Sequence, residues 1–343
     1  MNIYGLTFSA LEKHITMRGQ KSSKAPSAAR FIYADPACGT GHMPEAGQRT
    51  KKILREDFDM SLLDTVKIIK SDDSAKFLFN LPDSNIIEAV LMYQKHGNTL
   101  CISSQVGCSM GCSFCQSGRQ KKIRNLETWE MTAQVMAVQN ELSLKISNVV
   151  LMGMGEPLDN YVNVMDFISI LSNPYMLAIG KNHISVSTCG VVPKIYEYAT
   201  HPDCCLLAVS LHAPFDGLRN ELMPINRVYA IEELMKSIDA YSSKVNKKVM
   251  IEYVMLSEIN DTPECAHELA RLMKGRKCHV NLILYNETQN HDFSKSSDER
   301  IMAFYDILKK KGIPVTMRRV FGSSSNAACG QLRADFASSY QAP

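Results

Sequence analysis

The chain has 343 residues and a formal net charge of +3, with 45% hydrophobic and 21% charged residues. This composition is close to the average for globular proteins and excludes collagen-like, low-complexity and wholly disordered chains. No apolar run approaches the roughly 18 residues needed to cross a bilayer, and the first residues lack the pattern of a signal peptide. We therefore expect a cytoplasmic protein without membrane contact, with one barrel-sized domain and a small appendage or two ordinary domains.

The N-terminal part of the chain is basic. Residues 1–55 hold nine Lys or Arg against three acidic residues, which gives +6 there and −3 in the rest of the chain. A polyanionic partner would explain this excess, because each neutralised phosphate releases counterions, and a solvated basic face explains it equally well. Residues 1–65 also have a loose helical pattern and predict a small helical domain with long loops.

Strand patterns dominate the rest of the chain. Residues 66–97 contain three short apolar runs separated by turn formers and predict a β extension. Over residues 98–335, strands alternate with helix-length segments, which predicts a parallel α/β sheet or barrel, and residues 336–343 form a tail. The expected strands of this main domain are residues 99–104, 148–155, 183–188, 206–212, 248–256, 279–285 and 315–320. In such a barrel, catalytic groups gather at the carboxyl ends of the strands.

Eleven cysteines are an odd number in a chain without an export signal, so metal binding or thiol chemistry explains them better than a disulfide framework. Cys108, Cys112 and Cys115 have Cx3Cx2C spacing directly after the first barrel strand. Thiolates at this density favour zinc or an iron–sulfur cluster. A structural zinc site needs four ligands, whereas three thiolates on a 4Fe-4S cluster leave one iron open to an external ligand. A set of other cysteines is expected to pack in the core: Cys189, Cys204, Cys205, Cys265 and Cys278.

A second motif, Gly153-Met-Gly155-Glu156, follows the second barrel strand. Glycines allow a ligand to approach the backbone closely, and a carboxylate accepts a charge-assisted hydrogen bond from a ligand ammonium group. Taken alone, the motif is equally typical of a glycine-rich turn at a strand end. Beyond the cysteine loop, the stretch 119–124 adds four cations that predict phosphate contacts, or else a solvated loop.

The cysteine spacing resembles the radical S-adenosylmethionine (radical SAM) superfamily, and the flanking sequence resembles its RlmN/Cfr family of RNA adenine methyltransferases. The blocks that carry this resemblance are residues 99–115, 124–126, 153–160, 210–227, 279–286 and 327–333. The resemblance implies an α/β fold, a radical SAM partial (βα)6 TIM-like barrel, with a helical N-terminal RNA-binding domain and the short β extension. It also implies a 4Fe-4S cluster and two molecules of SAM per turnover.

The resemblance implies roles for individual residues. Cys108, Cys112 and Cys115 correspond to the cluster ligands. The positions that contact SAM correspond to Gly155, Glu156, Ser187, Ser210, Leu211, His212 and Asn286. Cys329 corresponds to the cysteine that becomes S-methylated, Cys101 to its catalytic thiol partner and Glu88 to the proton acceptor. In this scheme Cys101 attacks the Cys329 sulfur to release the product, which leaves a disulfide to be reduced.

The implied reaction is methylation of adenine C2, at adenosine 2503 of 23S rRNA and at adenosine 37 of some tRNAs. Pro157 favours this branch over the branch that methylates C8 of the same rRNA adenosine and confers antibiotic resistance. A different class of function is a catalytically idle iron–sulfur RNA-binding protein. The partners implied are 23S rRNA, tRNA and an electron donor such as flavodoxin or ferredoxin, and we expect the enzyme to be a monomer.

Overall fold

The computed structural model describes residues 1–33, 46–286 and 293–318. Its N-terminal part contains three helices, as the sequence predicts: α1 Phe8–Met17, α2 Ala25–Ile32 and α3 Gln48–Asp57. Helix α1 begins after Thr7, whose hydroxyl accepts a hydrogen bond from the Ala10 N–H. Its apolar face carries Leu11 and Ile15, which are spaced by one helical turn and join the main hydrophobic core.

The three strands predicted for the β extension are present, and they continue the sheet of the main domain. They are β1 Asp64–Lys70, β2 Ser74–Asn80 and β3 Ile86–Met92. Each pairs with the next in antiparallel fashion, and β3 pairs with β4 (Asn98–Cys101), the first strand of the barrel. In that register Val90 lies opposite Cys101. The extension therefore forms one wall beside the start of the barrel.

Within the described residues, the main domain has seven parallel strands in the order of the chain, β4-β7-β8-β9-β10-β11-β12. After β4, these strands are β7 Ile146–Leu151, β8 Ile184–Thr188, β9 Leu206–Ser210, β10 Val249–Met255, β11 Cys278–Leu284 and β12 Val315–Met317. Six βα units followed by a last strand confirm the predicted partial barrel. A two-stranded sheet of β5 (Gln105–Val106) and β6 (Arg124–Asn125) flanks the cysteine loop.

Helices cover the outer face of the sheet. They are α5 Thr128–Leu142, α6 Tyr161–Ser172, α7 Val192–Thr200, α9 Ile231–Val245, α10 Pro263–Met273 and α11 Asp298–Lys310. Two shorter helices, α4 Gln116–Arg119 and α8 Asp216–Leu222, follow the cysteine loop and strand β9. Strand β8 shows how the two faces differ: Ile184 and Val186 are fully buried in the core, whereas Ser185 and Ser187 line cavities inside the barrel. Among the helices described, none combines the length and apolar character needed to span a membrane.

Candidate active site

A cavity of about 910 Å³ opens at the carboxyl ends of the barrel strands. Cys108, Cys112 and Cys115 line it together with five of the seven residues expected to contact SAM, which are Gly155, Glu156, Ser187, Ser210 and His212. Residues from four separate loops therefore meet where the barrel architecture predicts a catalytic site.

The cysteine loop is held by its own backbone. The Cys108 N–H donates to Gln120 O at 3.1 Å, the Cys115 N–H donates to Cys112 O at 3.2 Å, and the Gly118 N–H donates to Cys115 O at 3.2 Å. A β-carbon on Gly118 would lie 2.8 Å from Cys112 O, so a larger residue would push the loop open. These contacts turn the three thiols toward one cavity.

The three buried thiols suit a site that holds metal cations. Burial raises the pKa of Cys108 to about 12, with a further increase from the negative charge of Cys115, and burial raises the pKa of Cys112 even more strongly. Three thiolates would repel one another here without metal cations among them. In the part of the chain that the structure describes, no three His, Cys, Asp or Glu side chains converge tightly enough to hold a single ion. This arrangement suits a multi-iron cluster, in which each cysteine binds its own iron, better than one zinc ion.

Glu156 is fixed at the edge of the same cavity. Its Oε1 accepts from the Leu158 N–H at 3.0 Å and its Oε2 accepts from the Cys189 N–H at 2.8 Å. Burial raises the pKa of this carboxyl, and these hydrogen bonds oppose the rise. Gly155 has a φ of +103°, and a β-carbon there would lie 2.5 Å from the β-carbon of Gln105. The glycine thus lets the backbone turn and aim Glu156 at a ligand.

His212 provides a neutral donor. Its Nδ1 accepts a hydrogen bond from the Val254 N–H at 3.0 Å, so the proton of the neutral ring lies on Nε2. Burial, aided by the positive charge of Arg219, lowers the pKa of His212 to about 3. The ring meets Phe114 of the cysteine loop edge to face, with 4.8 Å between centroids. A polar ligand in the cavity would therefore find an uncharged N–H at this position.

Two of the expected SAM contacts lie elsewhere. Leu211 is fully buried in the core and does not line the cavity. Asn286 donates to Leu284 O at 3.4 Å, while its neighbour Tyr285 lines the cavity. Cys189 is buried in a hydrophobic cluster, as expected, and it also lines the cavity beside Glu156. Its position directly after β8 is the signal that could have identified it.

Cys101 and Glu88 lie on the same face of neighbouring strands, outside the cluster cavity. Glu88 is two residues from Val90, the direct partner of Cys101, so their β-carbons are about 7–8 Å apart. Cys101 is buried in a small apolar cluster with Val90 and Met154. The Lys76 ammonium group lies 3.0 Å from the Glu88 carboxylate, and both side chains are almost fully buried.

The predicted disulfide involves a residue outside the described part of the chain. Cys329, like the tail 336–343, lies beyond residue 318. The nine cysteines within the described residues, Cys101 included, are thiols and form no disulfide. The partnership of the two catalytic thiols therefore stays a prediction.

A second cavity opens at the amino ends of the strands, opposite the cysteine loop. Met152, Glu252 and Arg318 line both cavities, so the two meet inside the barrel. Its lining is rich in cationic and imidazole side chains: Lys95, His96, Lys247, Lys248, His279 and Arg318. These residues are scattered along the sequence and carry no motif, which is why the sequence did not reveal this basic opening.

The cationic stretch 119–124 is used differently from the prediction. Lys122 contacts Asp159 at 2.6 Å. Arg124 contacts both Asp83 at 2.6 Å and Glu130 at 2.7 Å. Two of its four cations therefore hold the cysteine loop against the barrel, because partner carboxylates from distant segments neutralise them.

Comparisons with known proteins agree with this geometry. The radical SAM superfamily matches residues 102–273. A Clostridium botulinum protein named "Probable dual-specificity RNA methyltransferase RlmN" is 45% identical over 337 residues, covering 98% of this chain and 97% of that protein. The protein of the same name from Caldanaerobacter subterraneus subsp. tengcongensis is 44% identical over 334 residues, covering 97% of each chain. The crystal structure of a radical SAM methyltransferase from Sphaerobacter thermophilus superposes with a TM-score of 0.90 at 39% identity, over 98% of this chain and 100% of that chain.

Proposed function

Because the chain belongs to the RlmN family of the radical SAM superfamily, we propose that it is an RNA methyltransferase that methylates C2 of adenine. The observation that carries the proposal is the single cavity lined by three thiols, Glu156 and His212. The proposed substrates are adenosine 2503 of 23S rRNA and adenosine 37 of tRNA, and two molecules of SAM are used per turnover. The dual specificity in the names of the relatives supports the choice of two RNAs.

In this proposal Cys108, Cys112 and Cys115 would hold a 4Fe-4S cluster, and SAM would bind beside it in the same cavity. The cluster and SAM together would supply a 5′-deoxyadenosyl radical, using an electron from a flavodoxin or ferredoxin in the cytoplasm. Glu156 accepts hydrogen bonds from the SAM ammonium group, and the neutral His212 Nε2–H donates to a polar group of the cofactor. Ser187 and Ser210 add hydroxyl groups from two neighbouring strand ends.

The thiol chemistry is assigned to Cys329 and Cys101. Adenine C2 is electron-poor, so the Cys329 thiolate would first take a methyl group from one SAM. The radical from a second SAM would remove a hydrogen atom from this S-methyl group, giving 5′-deoxyadenosine, and the resulting carbon radical would add to C2. Glu88 then accepts the ring proton, and its carboxylate form is stabilised by the Lys76 ammonium group at 3.0 Å. One electron would return to the cluster, and the Cys101 thiolate would attack the Cys329 sulfur: the bond from sulfur to the methylene carbon breaks, that carbon takes up a proton to become the methyl group, and a Cys101–Cys329 disulfide forms for later reduction.

The basic opening supports entry of the RNA from the amino ends of the strands. Thr99, which precedes Cys101 on the same face of β4, lines the second cavity. A flipped-out base that enters there would therefore reach the side of the barrel that carries Cys101. Within the described residues, Lys95, Lys247 and Lys248 have no carboxylate at ion-pair distance, so they remain available for phosphates.

Reconstituted protein tests the reaction. With SAM, reductant and 23S rRNA, nucleoside digests analysed by mass spectrometry are expected to contain 2-methyladenosine, together with 5′-deoxyadenosine. The Cys329→Ala variant is expected to lose methyl transfer and keep the visible spectrum of the cluster. Formation of 8-methyladenosine without 2-methyladenosine would favour the C8 reaction, and neither product would favour an idle RNA-binding protein.

The double variant Lys247→Ala/Lys248→Ala tests the entry route. If each lysine contacts one phosphate of single-stranded RNA, the slope of log binding constant against log salt concentration is expected to fall by about 0.7 per lysine. A matched control is Lys194→Ala/Lys236→Ala, whose lysines lie on the outer helices α7 and α9. Equal slopes for both double variants would contradict RNA docking at the basic opening.

A further inference from the structure

Arg219 is a fully buried arginine behind the wall of the cluster cavity. It lies on the short helix α8, and its guanidinium donates to the ends of two barrel strands. Nη2 donates to Cys189 O at 2.7 Å and Ser210 O at 3.1 Å, and Nε donates to Leu211 O at 3.2 Å. Both Cys189 and Ser210 line the cavity. The cation is therefore separated from the cavity by the backbone of these two residues.

Among the residues that the structure describes, no carboxylate pairs directly with the guanidinium of Arg219. Its remaining hydrogen bond, from Nη1, goes to Asn226 Oδ1 at 2.9 Å, so all four acceptors are neutral oxygens. The carboxylate of Asp216 is reached only through Asn226, whose Nδ2 donates to Asp216 Oδ1 at 2.9 Å. Removing a cation from water without a counter-charge is costly, which implies that negative charge is supplied from elsewhere.

The same helix also holds the cysteine loop. The carbonyl of Leu222, at the end of α8, accepts from the Ser113 N–H at 3.0 Å, and Ser113 lies between two of the clustered cysteines. Met223, whose N–H donates to Arg219 O at 2.7 Å, lines the cavity. Arg219 is thus one helical turn from the contact that docks the cysteine loop.

We propose that Arg219 is the buried counter-charge of the thiolate-ligated iron–sulfur cluster and raises its reduction potential. The inference rests on the proposed function, since it requires a cluster in this cavity. Reduction adds one electron, taken from the external donor, to an already anionic group. A fixed cation nearby stabilises the reduced form more than the oxidised form, and burial keeps this attraction unscreened. Arg219 would act on the potential through space, as a positioning and electrostatic residue, without touching substrate.

Potentiometric titration of the reconstituted holoprotein, followed by electron paramagnetic resonance in the absence of SAM, measures this effect. Arg219→Gln removes the charge, and the ratio of reduced to oxidised cluster at a fixed potential is expected to fall at least tenfold, which is a shift of 59 mV for one electron. Arg219→Lys keeps the charge and is expected to stay near the wild-type potential. Arg271→Gln, on the outer surface of α10, is the control and is expected to leave the potential unchanged.

A second variant preserves the guanidinium and its hydrogen bonds. The exchange Asp216→Asn/Asn226→Asp moves the carboxylate from position 216 to position 226, whose Oδ1 accepts from Arg219 Nη1, so the charge of the guanidinium is neutralised locally. This exchange is expected to lower the reduction potential, as Arg219→Gln does. It tests the same inference if the Arg219→Gln variant does not fold. A wild-type potential in either variant, with an intact cluster, would overturn the inference. Failure of the wild-type protein to assemble any cluster would instead overturn the proposed function.

Discussion

Replacement of His212 by Asn should flatten the pH dependence of stability. The Asn side-chain oxygen can take over the hydrogen bond from the Val254 N–H, because Oδ1 and Nδ1 occupy equivalent positions. Asn also tolerates the left-handed backbone found here, where φ is +56°. The variant therefore removes the titrating ring and keeps the local structure.

The magnitude follows from the pKa of the buried ring. In the folded protein the pKa of His212 is lowered from 6.5 to about 3. The unfolded chain therefore binds a proton between these values when the folded chain does not, and the folded state loses stability as pH falls below 6.5. Between pH 8 and pH 5 this single group accounts for a loss of about 2 kcal/mol. Because the ring is fully buried, solvent does not screen this effect.

Urea denaturation of the cluster-free wild type and His212→Asn at pH 5, 6, 7 and 8 measures the difference. The variant loses the edge contact with Phe114 and is expected to be the less stable protein at pH 8. At pH 5 the difference in free energy of unfolding between the two proteins is expected to be smaller by about 2 kcal/mol, because only in the wild type does protonation of residue 212 favour the unfolded state. All other titrating groups are common to both proteins and cancel. A gap that is the same at pH 8 and pH 5 would show that the ring is not held neutral in the folded state.

Two further variants test the packing of the site and of its neighbouring strands by urea denaturation. Gly155→Ala places a β-carbon on a backbone with φ +103° and in close contact with Gln105, so it should destabilise the fold by about 2–6 kcal/mol. The control is Gly217→Ala, whose β-carbon would meet no heavy atom within 4 Å, and it should be neutral or stabilise the fold by up to about 1 kcal/mol. Equal urea midpoints for the Gly155→Ala and Gly217→Ala variants would contradict the requirement for glycine at position 155. Lys76→Met deprives the buried Glu88 carboxylate of its cation and should cost about 3–5 kcal/mol, much of it regained in Lys76→Met/Glu88→Gln. If Lys76→Met is as stable as wild type, the ion pair does not support Glu88.

The fold could be predicted from the sequence because its periodicities are local. Alternation of strands and helical segments located every strand of the main domain to within a few residues, including the short last strand, Val315–Met317. Strand pairing is a different matter. The antiparallel register that sets Val90 opposite Cys101 depends on contacts between separate strands, so local periodicity could not place Glu88 and Cys101 on one face.

Some residues of the candidate site could likewise be predicted from the sequence, and others could not. Residues that belong to contiguous motifs at strand ends, such as the three cysteines and Glu156, could be assembled in advance because the barrel brings those ends together. Lys76, Lys247 and Arg219 could not, because the groups that surround each of them come from elements far apart in the sequence. Sequence reasoning also overestimated the cations of the stretch 119–124, since it could not see the carboxylates opposite them.

Buried charge connects these observations. Lys76 and Glu88 compensate each other inside the protein. Among the described residues, the guanidinium of Arg219 donates to neutral oxygens only. Glu252, between the two cavities, accepts from the Asn281 amide at 2.8 Å and is also attracted by the charge of Arg318. A chain selected for stability alone would gain by replacing such groups with apolar ones. Their retention is explained if anionic cofactor groups and the polar edge of a base complete the interactions on binding. Folding and ligand binding would then be linked, and the loaded enzyme would resist denaturation more strongly than the empty one.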